Sequence, residues 1–187
     1  MFLADYGQDP HRQELRMFTP RTAATLARYQ AWADELIFKA VKALPADEVT
    51  RERPTLFKSI IGTLNHSYVV NVIWKAHLEG REHGFTARNE VLHANVDELW
   101  QAQKTVNDWL LQWCGAQSDV TLAEQVNFKF VSGENGTMTR GGILMHIVNH
   151  ATYHRGWVSD LFFQIPAKPP TTDFCVFPDA DRERDAS

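Results

Sequence analysis

The sequence predicts an all-α protein, a four-helix bundle with one small hairpin or irregular excursion between its third and fourth helices. Three observations carry this. Four stretches repeat apolar residues at helical spacing, and three of them run for twenty residues or more. Their ends coincide with hydroxyl or amide caps, glycine and proline. Residues 116–138 break the helical period, a link too long to be a plain connection in a compact bundle.

Taken in order, residues 1–18 form a mixed lead-in to a domain expected over 19–166. Thr19-Pro20 is a helix start: a hydroxyl to cap, then a proline whose missing N–H costs nothing in the first turn. The stretch that follows keeps Leu26, Tyr29, Ala33, Leu36, Ile37, Ala40 and Leu44 on one stripe until Pro45 ends it. The second helix runs from about Ser59 to Leu78 and stops before Gly80. Its positions 66, 70, 73 and 77 share a face, which turns His66 inward with Val70 and Ile73. After the polar link REHGFTARNE, Asn95 and Glu98 resemble a capping box. Leu99, Ala102, Val106, Trp109, Leu110 and Trp113 then mark a third helix ending near Gly115. Residues 125–131 alternate loosely before SGENG, as a short hairpin would. Thr139 caps the fourth helix, which is expected to last until Pro166. The tail, 167–187, is rich in proline and aspartate and reads as an irregular strap.

Composition narrows the function classes. A chain of 187 residues buries roughly 70% of its unfolded surface and needs no staples. The net charge of −4 and the absence of any Lys/Arg cluster leave nucleic acid without an electrostatic footprint. No apolar run approaches the ~20 residues of a membrane span, and the early charges do not suit a signal peptide. Two cysteines, Cys114 and Cys175, have no scaffold spacing. The expectation is a cytoplasmic protein. Of six tryptophans, Trp32, Trp74, Trp109 and Trp113 fall on helical stripes and are read as core.

The chemistry is concentrated in histidines. His146, His150 and His154 follow one another at intervals of four in the fourth helix, so adjacent members lie ~5–6 Å apart between Cβ atoms. His146 and His154 are about 12 Å apart along the axis, too far to share an ion with metal–nitrogen bonds of ~2 Å. One adjacent pair therefore binds, and spacing alone does not say which. Neither pair has the glutamate of H-E-x-x-H, which disfavours a zinc-protease mechanism. A third ligand from a facing helix is expected, and His66 is the best placed. His77 shares its face but lies roughly 16 Å away, near a helix end where a solvent-tipped side chain is expected. His11, His83 and His93 sit in polar links and receive no role.

LARYQAW, LNHSYVVNVIW and ILMHIVNHATYHRG together resemble the DinB-like (YfiT-like) metal-binding superfamily, from about residue 22 to 165. The resemblance implies a four-helix bundle holding a divalent ion, nickel or zinc, on His66, His150 and His154. It thereby selects the second histidine pair and leaves His146 as a neighbour one turn away. It also implies a homodimer, and for some members a thiol-dependent transferase or isomerase using a low-molecular-weight thiol. Two departures bear on activity: Asn71 stands where many relatives carry an acid, and Trp157 where many carry glutamine.

Three neutral imidazoles leave such an ion an open position, as a reactive site requires. The expectation is a metal-dependent enzyme of the thiol S-transferase/isomerase or hydrolase type, with no catalytic side chain assigned. The alternative is a non-enzymatic, stress-response metal binder whose ion is structural. Tyr68 and Tyr153 are within reach of the ligands but are read first as packing. Asn71 and Asn149 could orient ligands, and Arg155 is read as a surface or interface ion pair.

Overall fold

The computed structural model of the chain describes residues 18–178, so the last nine residues and all of the lead-in but Phe18 lie outside the described residues. The order is α1 (Pro20–Lys42), α2 (Ala46–Thr50), α3 (Ile60–Leu78), α4 (Val96–Gly115), α5 (Asp119–Ala123), β1 (Gln125–Lys129), β2 (Asn135–Thr139) and α6 (Arg140–Phe162). Four long helices make the bundle, with α1 packed mainly on α4 and α3 on α6.

The expected caps are in place. Thr19 Oγ1 accepts from the Thr22 amide, Asn95 Oδ1 from Asp97 and Glu98, and Thr139 Oγ1 from Gly142. Each satisfies a donor that a helix start leaves without a partner. Ser59 does the same for α3 through the Gly62 amide. The hairpin is antiparallel, with Gln125 opposite Thr139 and Lys129 opposite Asn135.

Three expectations are corrected. The fourth helix stops at Phe162, not at Pro166, because tightened turns carry Gln164 and Ile165. Pro166 disfavours helical geometry in the residue before it, so the last turn unwinds early. The long link contains a helical turn, α5, capped reciprocally by Ser118 and Thr121. Tyr29, Ala33 and Ile37 of the expected α1 stripe are buried, but Leu26, Leu36 and Ala40 are only partly covered and Gln30 and Asp34 are buried with Ala23, Ala27, Phe38 and Val41. Two polar residues on the inner seam had shifted the apparent stripe.

Those two belong to a polar layer across the middle of the bundle. Asp34 accepts from Arg155 (2.9 Å), Asn107 (3.1 Å), Gln30 (3.0 Å) and Gln103 (3.3 Å), and every partner is buried. On one side lie Ile37, Ile60, Leu64, Leu99, Val158 and Phe162; on the other Ala27, Trp74, Phe128, Leu144, Ile147 and Phe177. Fifteen of the nineteen residues of α3 are buried, which makes it the central helix and puts its histidines inside.

The segment before α3 folds back over it. A Cβ on Gly62 would lie 2.2 Å from the Phe57 carbonyl oxygen, a contact only glycine permits. Gly62→Ala is expected to displace that segment and cost about 1–3 kcal/mol, as overpacking does. Urea unfolding of the variant checks this, and unchanged stability would contradict the contact.

Candidate metal centre

His66 comes from α3, and His150 and His154 from successive turns of α6, the helix packed against it. Each offers a ring nitrogen, and the three atoms lie within 4.8 Å of one another. The ring centroids are 4.4 Å apart for His150 and His154, 4.6 Å for His66 and His154, and 5.2 Å for His66 and His150. His150 Nε2 and His154 Nε2 are 3.1 Å apart. Two imidazoles on a tetrahedral ion with ~2.05 Å bonds place their nitrogens roughly 3.3 Å apart, so the pair already has the spacing that an ion imposes.

The protonation pattern fits as well. His66 Nδ1 is 2.7 Å from the Arg88 carbonyl oxygen. A carbonyl only accepts, so Nδ1 carries the hydrogen and the Nε2 lone pair is left for a ligand. The link that supplies this carbonyl is held by the neighbouring side chain. Asn65 accepts from the Leu92 and His93 amides and donates to the His93 carbonyl. Among the described residues the Nδ1 atoms of His150 and His154 are buried without a partner.

The electrostatics disfavour protons on the triad. Burial, and then the charges of His154 and His66, push His150 down to about 3. Burial and His66 push His154 down to about 4. Burial lowers His66, against the pull of its hydrogen bond to the Arg88 carbonyl, and the Arg88 charge lowers it a little further. All three are neutral donors at neutral pH, the form a metal requires. The unfolded chain binds protons near 6.5 where the folded chain does not, so stability is full above that value and falls as the pH drops toward 4. Metal-free protein is therefore expected to lose urea midpoint steadily from pH 6.5 to about 4. The slope should flatten in His150→Ala; an equal slope would contradict this origin.

The walls are aromatic on one side. Phe57 stacks on His66 (4.1 Å, 16°) and meets His154 edge-on at 5.5 Å. Trp157 packs against His154 at 5.1 Å and Phe57 at 5.7 Å. His66 and Phe57 together border a cavity of about 620 Å³ between the 86–89 link and the hairpin tip, with Arg88 on its wall.

The remaining candidates separate. His146 is not one of the triad; it stacks on His150 at 5.7 Å and touches Trp74 at 4.7 Å. Asn71 lies in the polar layer, 3.4 Å from Gln103 Oε1, and does not reach the triad's ring nitrogens. Asn149 is exposed. Tyr68 packs on His93, and Tyr153 is 58% exposed between His154 and Trp157. Arg155 is no surface residue: it is 3% exposed and locked to Asp34. His77 is buried rather than solvent-tipped, between Trp74, His83 and Phe128. His11 lies outside the described residues. Sequence reasoning passed over Phe57 and Arg88. Phe57 carries no periodic signal, and Arg88 contributes through a backbone oxygen that any residue has.

No helix among the described residues is long and apolar enough to cross a membrane. Cys114 is buried and Cys175 exposed, and no disulfide joins them.

A family model described as DinB family matches residues 17–185. The chain is similar to protein DinB of Bacillus subtilis (strain 168), 23% identical over 163 residues that cover 83% of this chain and 92% of that one. It is also similar to the crystal structure of a DinB-like protein from Bacillus cereus ATCC 10987. There the TM-score is 0.56 at 19% identity, over 77% of this chain and 94% of that chain. At such identity the structural likeness speaks for the fold alone.

Proposed function

From the premise that the chain belongs to the DinB family, we infer that it holds a divalent ion, nickel or zinc, on His66, His150 and His154, and that this centre is catalytic. One observation carries the reading: three neutral imidazoles converge, and one of them, His66, lines a cavity. A structural site is closed by its fourth ligand, and a reactive one keeps that position open.

An ion there supplies Lewis acidity, enough to bring a bound water or thiol to its anion near neutral pH. The chain's own residues do the rest. The Arg88 carbonyl fixes the His66 ring, and Phe57 and Trp157 pack against the His66 and His154 rings. The Arg88 guanidinium adds positive charge near the ring nitrogens, which favours an anionic ligand. The reaction proposed is transfer or isomerisation using a low-molecular-weight thiol, or hydrolysis. No side chain is assigned as acid or base.

A homodimer is the proposed assembly. An exposed stripe along α6 and its C-cap carries Met145, Tyr153 and Phe163, three large apolar side chains on a solvent face. Light scattering should give twice the chain mass.

Metal content of the purified protein, followed by turnover of an electrophile with a panel of thiols and of esters, tests the function. Stoichiometric metal with metal-dependent turnover supports it. Stoichiometric metal without turnover, together with a large fall in melting temperature on chelation, leaves the ion structural and overturns the catalytic reading.

A further inference from the structure

A cavity of about 710 Å³ lies away from the triad. It lies at the other end of α3, between the turn after that helix and the hairpin. Its volume falls in the range of small-molecule sites. We propose that it is a second binding site, one that takes a flat aromatic molecule carrying an acidic substituent.

The apolar part of the argument is a set of rings. His77 lies 5.3 Å from His83 and 5.3 Å from Phe128, His83 lies 6.1 Å from Phe85, and Phe128 lies 5.0 Å from Phe130. All five border the cavity. Rings at these spacings with open space beside them offer faces and edges to another ring. The Phe128 ring is held in position by the hairpin: a Cβ on Gly136 would lie 2.5 Å from it, so only glycine lets the ring lie across β2.

The polar part is specific too. His83 Nδ1 accepts the Phe85 amide at 2.9 Å. An acceptor nitrogen carries no hydrogen, so His83 Nε2 carries it and is a donor. Two cations border the space. Arg81 is bound to Glu79 at 2.6 Å, while Lys129 has no ion pair among the described residues. Glu82 is the single acid on the wall. One imidazole donor and one unpaired ammonium are what an aromatic carboxylate needs, and a neutral ring would leave the ammonium unused.

This cavity and the one beside His66 share Phe130 and Val131 of the hairpin tip. The second site therefore adjoins the first without sharing any of its three histidines. It stands whether or not the triad holds an ion.

The test is an NMR titration of the full chain with 2-naphthoate and with its neutral counterpart 2-naphthamide, in chelator-treated and in zinc-loaded protein. Saturable shifts at the His77 and His83 imidazoles and the Trp74 indole are expected, alike in both preparations. The amide should bind about fivefold more weakly, the size of effect one exposed ion pair produces. Lys129→Gln should weaken the acid by about the same factor and leave the amide unchanged. The proposal is overturned if no saturable shift appears, if shifts centre on His66, His150 and His154, or if Lys129→Gln binds the acid as wild type does. A chain that bound no metal would refute the function above and leave this titration unaffected.

Discussion

Replacing His150 with alanine is expected to empty the centre while leaving the bundle folded. His150 is half-buried, so its loss removes less packing than that of a fully buried core side chain. Its ring touches those of His154, His66 and His146, so it is the middle member of the constellation. Without it two nitrogens remain, from different helices. Disturbing the partners of metal ligands already costs 10–100-fold in affinity, so removing a ligand should cost at least about a hundredfold. Competition against a chromophoric chelator measures this, with circular dichroism to show that the helices persist. His146→Ala is the control and should stay within about tenfold of wild type. Equal affinity in the His150 variant would remove the triad as the site.

Asp34→Ala is expected to produce the largest loss of stability. Burial pushes the Asp34 carboxyl above its usual range against the pull of Arg155, and the fold retains the charge pair by surrounding it with amide donors. Removing the carboxylate strands a guanidinium that is 3% exposed. Breaking a buried pair from one side costs about 3–5 kcal/mol. At about 2–4 °C per kcal/mol for a chain of this size, the melting temperature should fall by about 10 °C or more. Asp34→Leu combined with Arg155→Met should recover most of it, because no uncompensated charge then remains. A single variant that melts as wild type would show the pair to be dispensable.

The long helices were legible because their caps and apolar spacing agree, and the ladder of histidines because four is a helical interval. Spacing could not choose between the two histidine pairs; the facing residue on α3 decides that, and it is eighty-odd positions away in sequence. The polar layer could have been found. Gln30 and Asp34 sit four apart on the inner seam of α1, and Gln103 and Asn107 four apart on that of α4. Each pair was read past because a polar residue on a helix is ordinarily solvated, and only the packing of α1, α4 and α6 shows that these are not. His77 was misplaced for a related reason: a helix end is ordinarily exposed, but here the hairpin covers it.

The ring contacts around the histidines have an optical consequence. From His154 the chain of neighbouring rings runs one way to Trp157 and the other through His150 and His146 to Trp74. One indole thus touches a ligand ring and the other lies a single imidazole beyond the ligands, like lamps on either side of a socket. A paramagnetic ion such as nickel or cobalt entering there would quench their emission, whereas colourless zinc would not. The protein's intrinsic fluorescence becomes a gauge of which ion it has taken up, readable without a label and at each step of loading.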